Sequence, residues 1–496
     1  MKPTYLLVLY LLMIAGRHDA SAQQPAARRP NVLLILVDDL KPATGSYGDP
    51  VAITPNIDRL ASKGMQFNHA YANQAVCGPS RYNLMLGSRS SSTGIYTFGR
   101  DFRKLYPEAV TLPQYFKQNG YHCESMGKVY HIGHGSYNDT ASWSVPHHKD
   151  LVVEYVDPAS TGGKLTREEA LFGNRDKDLA KTLIRGPAWE SPEVEDDAYA
   201  DGRTANRAIQ RLRALKKNPE QPFFLAIGFA RPHLPFSVPQ KYWDRYDPEK
   251  LPMPFYEKAP KGAPDYAGKR DVEISQYSPI PLSSEQDPFP AHLTRKLIHG
   301  YYAGVSYVDT QIGKVLQELE ALDLDENTIV VFWGDHGFHL GELGIWTKHV
   351  NYELACRIPL IVCAPGITRP GTHTDQPAET VDIYPTLAAL AGLDKPGVLQ
   401  PFDGLSMVSV LQHPEVHIRD HVYHCFPRGG RLGRAIRTDR YRLVEWKKIG
   451  ADPQSAELEL YDYQDGPVEH ENIADQRPEV VAALRKLLNT HPEAKQ

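Results

Sequence analysis

The sequence predicts an α/β protein: a large domain built on a mostly parallel central sheet covered by helices, followed by a smaller C-terminal α+β domain with an antiparallel sheet. Three observations predict it. First, Asn31-Val32-Leu33-Leu34-Ile35-Leu36-Val37 and Thr328-Ile329-Val330-Val331-Phe332-Trp333-Gly334 are continuously apolar rather than alternating, the pattern of strands buried on both faces. Second, strand-like and helix-like segments alternate from Asn31 to about Pro414, the order that builds a parallel sheet through crossovers. Third, the tone then changes: residues 421–424, 434–437 and 441–446 look like antiparallel strands, and a helix follows over 478–489. The expected division is a signal peptide at 1–22, a large domain at 23–415 and a C-terminal subdomain at 416–496.

Each element has a local reason. Lys2, the apolar stretch from Tyr5 to Ala15 and Ala20-Ser21-Ala22 before Gln23 read as an export signal, with a membrane anchor as the alternative. The stretch is shorter than the roughly 20 residues that span a bilayer. Thr54-Pro55 starts a helix, with Thr54 as N-cap and Gly64 past its end. Thr111-Leu112-Pro113-Gln114 reads as a capping box, and Gly120 closes that helix. Leu293, Leu297, Tyr301, Val305, Val308, Ile312, Leu316 and Leu319 recur every three or four residues, giving a long amphipathic helix that leads into the Thr328 run. Leu360-Ile361-Val362 is a further buried strand, and Thr380 to Leu390 a helix. Residues 136–194 and 247–290 resist the pattern; loops this long are usually functional or disordered, and both read as walls of a site.

The chemistry gathers at strand ends. The first apolar run stops at Asp38-Asp39 and the second at Asp335-His336. Ligands of open α/β sheets sit beyond the carboxyl ends of the strands. Three carboxylates and an imidazole there suit a hard divalent cation. Between them lies Cys77-Gly78-Pro79-Ser80-Arg81. Pro79 falls where a helix begins, which puts residue 77 at a helix N-terminus, a place that favours an anion. A solvated acidic pair and a structural cysteine in a turn are the bland alternatives.

Composition bounds the rest. With 496 residues, 41% hydrophobic and 23% charged, the chain is a globular protein too long for one ordinary core. A net charge of −5 points away from nucleic acid and demands a local positive patch for any anionic substrate. No segment after the N-terminus is apolar enough to span a membrane. Five cysteines, Cys77, Cys123, Cys356, Cys363 and Cys425, are an odd number for an exported protein, which flags one reactive or modified thiol. Cys356 and Cys363 flank a strand whose seven residues at ~3.3 Å each hold them roughly 23 Å apart, too far for a disulfide.

Cys77-Gly78-Pro79-Ser80-Arg81 with Leu84-Met85-Leu86-Gly87 resembles the signature of the type I sulfatases, departing from it at Leu86 and Ser88. The resemblance implies an alkaline-phosphatase-like fold and a sulfuric ester hydrolase. In that family a maturing enzyme oxidises the cysteine to formylglycine, whose hydrate supplies one hydroxyl to attack sulfur and a second to expel sulfate. The same resemblance implies a metal site of Asp38, Asp39, residue 77, Asp335 and His336 holding one calcium ion, although many members carry Asn at the position of His336. Gly127-Lys128-Val129-Tyr130-His131 resembles the second family signature. It implies that Lys128 holds the sulfate and His131 acts as base for its elimination. Arg81, one turn beyond residue 77, is expected to bridge to the hydrate or the carboxylates. By the same resemblance His233, in Arg231-Pro232-His233-Leu234-Pro235-Phe236, would bind sulfate or protonate the leaving oxygen, and Lys348 would add a second cation. Residues 30–48, 54–87, 114–131, 222–236, 278–337 and 341–348 look most like the iduronate 2-sulfatase branch, which clips 2-O-sulfate from a terminal iduronate of heparan and dermatan sulfate, and the resemblance implies exo-acting removal of a 2-O-sulfate from a terminal uronic acid. The expected substrate is a sulfated oligosaccharide, from a glycosaminoglycan or an ulvan-type polysaccharide. The expected setting is the periplasm or the exterior of the cell, or the lysosome in a eukaryote. A phosphonate or phosphate monoester hydrolase of the same superfamily, and a silent glycan-binding protein, remain as alternatives; the second would lack Cys77 or the carboxylates, and none is missing.

Overall fold

The computed structural model describes residues 28–131, 138–173, 177–268, 273–281 and 288–496; the expected signal peptide at 1–22 lies outside them. The strands of the large sheet are β1 (Asn31–Val37), β2 (Met65–Tyr71), β3 (His122–Gly127), β4 (Phe223–Phe229), β5 (Thr328–Gly334), β6 (Arg357–Cys363), β7 (Thr372–Thr374) and β8 (Ala378–Glu379). Its helices are α1 (Pro55–Lys63), α2 (Cys77–Leu86), α3 (Leu112–Gln118), α4 (Ala200–Leu215), α5 (Ala291–Ala321) and α6 (Ile383–Leu390). The spatial order is β8-β2-β6-β5-β1-β4-β3, with β7 also paired to β2. The alkaline-phosphatase-like fold expected from the sequence is present.

β1 lies at the centre because every one of its residues is buried. Its alternate side chains feed two cores. Leu33, Ile35 and Val37 face Ile57 of α1, Ala205 of α4 and Leu297 of α5. Val32, Leu34 and Leu36 face Leu84 of α2, Phe116 of α3 and Leu387 of α6. A strand with apolar side chains on both faces has no reason to alternate, which is why the run is continuous. Most pairs in the sheet are parallel, but β6 runs antiparallel to both β2 and β5. Strand direction leaves no trace in hydrophobic periodicity, which records only which faces are buried.

Local signals hold in part. The capping box at Thr111 and Gln114 forms. Thr54 corrects its expectation: its hydroxyl makes no cap bond to α1 but accepts from Gly45 N at 2.9 Å and donates to Asp58 Oδ1 at 3.1 Å. Carboxylates of Asp309 serve the free amides instead, accepting from Asn56 N at 3.0 Å and Ile57 N at 2.8 Å. All five cysteines are free thiols.

The C-terminal sheet has four antiparallel strands in chain order, β9 (Val422–Arg428), β10 (Arg431–Arg437), β11 (Tyr441–Lys447) and β12 (Glu457–Asp462). The last one adds to the three that the sequence suggested; its alternating Glu-Leu-Glu-Leu carried the signal. Helix α7 (Pro478–Leu488) covers one face through Val481, Leu484 and Leu488. Among the described residues no helix is long and apolar enough to cross a membrane.

Candidate active site

The strand registers build the site. Val37 pairs with Gly334, so β1 and β5 end side by side. Asp335 N still bonds to Val37 O at 3.0 Å, and Asp38 N to Phe229 O at 3.2 Å, so the ladder carries Asp38 and Asp335 together. Asp39 then turns off the strand at φ 56°, a left-handed conformation costly for a non-glycine residue. Asp335 Oδ1 steadies the turn by accepting from Asp39 N at 3.2 Å. On the other side Gly127 of β3 pairs with Gly228 of β4, and any Cβ on Gly228 would collide with the Lys128 carbonyl. That close approach delivers Lys128 to the end of β1, where its ammonium is ion-paired with Asp38 Oδ2.

Cys77 opens α2, following Val76 in extended conformation, and all ten residues of that helix are buried. Pro79 has no N–H, so Cys77 and Gly78 supply the free donors of the first turn. Arg81, one turn along, lies between two carboxylates: its Nη2 is 2.9 Å from Asp335 Oδ2 and 3.4 Å from Asp38 Oδ1. It also donates to the Lys128 carbonyl. Ser80 Oγ donates to Asp335 O at 2.5 Å, fastening α2 to the end of β5.

The cluster is electrostatically unsettled. Burial alone would raise the Asp38 carboxyl, but the Lys128 ammonium, His233 and Arg81 outweigh it and hold Asp38 well below the usual range. Burial pushes Asp39 up against the pull of His233 and Lys348. Burial and the neighbouring Asp38 carboxylate push Asp335 up to about 7. Burial lowers His336 to about 4, leaving a neutral imidazole. Its Nδ1 lies 3.0 Å from Gly337 O and takes the ring proton, so Nε2 presents a lone pair. That lone pair faces Asp39 Oδ1 and Asp335 Oδ1, each at 3.5 Å. Asp39 Oδ1 is buried, with the Lys348 ammonium 3.0 Å away as its counter-charge but no directed hydrogen bond. Unprotonated nitrogen and carboxylate oxygens turned toward one another fit a cation between them, and the oxygen-rich set suits a hard one. Donor atoms of Asp38, Cys77, Asp335 and His336 all lie within 4.8 Å of one another, as do those of Asp38, Asp39, Cys77 and His233.

Cys77 Sγ stands 3.1 Å from His336 Nε2. Burial and the Asp38 carboxylate push its thiol well above the ordinary value, so the unmodified side chain is a protonated, poor nucleophile.

The remaining sequence-derived residues sit around this centre. His233 follows β4 in a turn held by Asp201, which accepts from Ala230 N at 2.9 Å and Arg231 N at 2.8 Å. Lys348 Nζ is 3.0 Å from Asp39. His131 is buried beside the start of α2, its ring 4.8 Å from that of Phe98. Residues that the sequence reading missed are Glu273, which touches both Lys348 and His233, and the Arg231–Glu154 pair at 2.7 Å behind His233. Both acids come from the irregular segments, where no periodicity marks a single carboxylate. A cavity of about 210 Å³ opens beside Lys128 and His233, walled by residues 147–154 and 172–173. The Phe172 ring stands edge-on to His233 at 5.7 Å.

Comparison with known proteins agrees with this geometry. The chain matches the Sulfatase family over residues 30–393, and the C-terminal family of N-sulphoglucosamine sulphohydrolase over 341–494. It is 36% identical to human (Homo sapiens) iduronate 2-sulfatase over 396 residues, 74% of this chain and 70% of that one. It is 32% identical to a sulfatase of Formosa agariphila over 490 residues, 96% and 89% of the two chains. A protein solved in complex with its substrate D-glucosamine-2-N,6-O-disulfate superimposes with a TM-score of 0.72, covering 93% of this chain and 97% of its own, at 22% identity. With an acid-rich centre at the ends of β1 and β5, a cysteine opening α2 and these matches along most of its length, the chain belongs to the sulfatase family, the type I sulfuric ester hydrolases.

Proposed function

We propose that this sulfatase removes the 2-O-sulfate from a terminal uronic acid of a sulfated glycan, one sugar at a time. The cavity beside Lys128 and His233 carries the reading. At about 210 Å³ it is smaller than the roughly 300–1,000 Å³ of clefts that hold drug-sized ligands. That is room for one ring rather than a run of polymer. Residues 147–154 and 172–173 supply part of its wall, and the chain's relatives include iduronate 2-sulfatase and an ulvan-active sulfatase.

Residue 77, oxidised to formylglycine and hydrated, would supply a geminal diol, one hydroxyl for attack on sulfur and one for release of sulfate. Asp38, Asp39, Asp335 and His336 would hold a divalent cation, calcium by the hardness of the set, which supplies positive charge beside residue 77. Arg81, tied to two of those carboxylates, keeps them in place. Lys128 and Lys348 each have ammonium protons beyond those spent on Asp38 and Asp39 and turn them to the sulfate oxygens. His233 gives a proton from Nε2 to the departing sugar oxygen, and His131 takes one from the second hydroxyl. Cys77 is 1% exposed, so the maturing enzyme must meet it before the chain folds. The chain would be exported on its N-terminal signal.

Size-defined sulfated oligosaccharides followed by mass spectrometry test this. Loss of one sulfate per chain, from the non-reducing end, is expected. Loss from internal units, or activity confined to sulfated hexosamines or to phosphate esters, overturns it.

A further inference from the structure

We propose that Glu273 is a positioning residue for sulfate transfer: one of its oxygens ties Lys348 to His233 and sets the spacing of the two donors that meet the ester. The inference rests on the sulfatase mechanism proposed above. Glu273 Oε1 lies 2.8 Å from Lys348 Nζ and 3.1 Å from His233 Nε2, and Oε2 lies 3.3 Å from Thr347 Oγ1. Glu273 opens a short turn, Ile274–Gln276, in the long irregular segment, far in sequence from both partners.

Two physical arguments give this contact a purpose. Lys348 is 1% exposed, and a buried ammonium needs counter-charge. Asp39 is its other carboxylate partner, at 3.0 Å, yet Asp39 is also a ligand candidate for the cation. An Asp39 engaged with a cation cannot fully compensate Lys348, so a second carboxylate is required, and Glu273 is in place. His233 is the second case. Its Nδ1 lies 2.5 Å from Leu234 O, which fixes one side of the ring. Nε2 faces Glu273 at 3.1 Å, Asp39 following at 3.9 Å. Nδ1 and the Glu273 contact give the ring one orientation, in which the Nε2 proton is shared between Glu273 and an ester oxygen entering beside it, and the Phe172 edge packs against the ring. Burial alone would raise the Glu273 carboxyl, but Lys348 and His233, with His349 nearby, outweigh it and keep it ionised.

A residue of this kind acts through His233, so its loss shows most where the leaving oxygen most needs a proton. The matured full-length enzyme, Glu273→Gln, Glu273→Asp and His233→Asn are compared on aryl sulfates of graded leaving-group acidity and on a 2-O-sulfated uronate disaccharide, reading kcat and KM separately. Misplacing a catalytic group by an ångström costs about 100-fold. Glu273→Gln is expected to lower kcat by ten- to 100-fold on the disaccharide and by less than threefold on 4-nitrophenyl sulfate, following His233→Asn in direction, with Glu273→Asp between wild type and Gln. An equal loss on every substrate with a lowered Tm would make Glu273 merely structural. Unchanged or raised kcat/KM would make it a carboxylate in the substrate's way. Either result overturns the inference while the mechanism stands. If His233→Asn itself shows no dependence on the leaving group, the mechanism fails first.

Discussion

Two fully buried carboxylates in this chain are held in opposite directions. Glu353 lies where the C-terminal sheet docks on the large domain. It accepts from Tyr71 Oη at 2.9 Å, Arg437 Nε at 3.0 Å and Arg442 Nη2 at 2.9 Å. Burial would raise it, but the two guanidinium groups prevail and hold it far below the usual range. Asp335 has Arg81 beside it, but also Asp38, and burial together with that like charge pushes it up to about 7. One region closes its electrostatics with its own side chains. The other crowds three carboxylates and a neutral imidazole together, an arrangement that the proposed cation would answer. The contrast separates charges that hold the fold from charges that wait for a ligand.

The contrast is sharpest in a pair of substitutions. Glu353→Gln breaks a buried pair and leaves Arg437 and Arg442 short of charge, so it should destabilise the protein by about 3–5 kcal/mol with or without calcium. Asp335→Asn should behave differently. At pH 8 under exhaustive chelation it removes a carboxylate repelled by Asp38, and its Tm should equal or exceed that of wild type. Added calcium should then stabilise wild type, by about 2.7 kcal/mol at 100 times its Kd, and leave Asp335→Asn unmoved. Thermal melts in chelator and in calcium read all four cases. A chelated Asp335→Asn as unstable as Glu353→Gln would erase the distinction.

A smaller effect refines the C-terminal side. Glu459 accepts from Trp446 Nε1 at 2.5 Å and Tyr352 Oη at 3.1 Å, yet burial raises its carboxyl from 4.5 to about 7. The folded protein therefore binds this proton more tightly than the unfolded chain. Its contribution to stability is present below about pH 4.5 and is lost as pH rises toward 7. Glu459→Gln should flatten that part of the stability profile, by on the order of 1–2 kcal/mol in denaturant titrations at pH 5 and pH 8. An unchanged profile would place the pH dependence elsewhere.

The two regions also differ in how much the sequence disclosed. At the site, strands buried on both faces stand out as continuous apolar runs, and the acids that end them stand out by contrast, so Asp38, Asp39, Asp335 and His336 were legible before any coordinates. Cys77, Lys128, His131, His233 and Lys348 were legible through short motifs. Glu273 was not: it lies among other charged residues in a segment without periodicity, and only the folded chain brings it to Lys348. In the C-terminal domain three strands were readable from their apolar alternation and β12 was passed over. The Glu353, Arg437, Arg442 and Glu469 network was invisible, because a buried ion pair looks like a surface one until both partners are placed. The antiparallel course of β6 and the idle Thr54 cap belong to the same class, where tertiary partners decide between options that the local sequence leaves open.

In the proposed mechanism the site works through a modified residue 77 rather than through the buried Cys77 thiol. The most direct measurement is the mass of the proteolytic peptide spanning residue 77, taken on preparations of different specific activity. Sulfate release should rise in proportion to the fraction of that peptide carrying the aldehyde in place of the thiol, and Cys77→Ala, folded as wild type, should be inactive. Full activity in a preparation whose residue 77 is entirely thiol, or in Cys77→Ala, would contradict it.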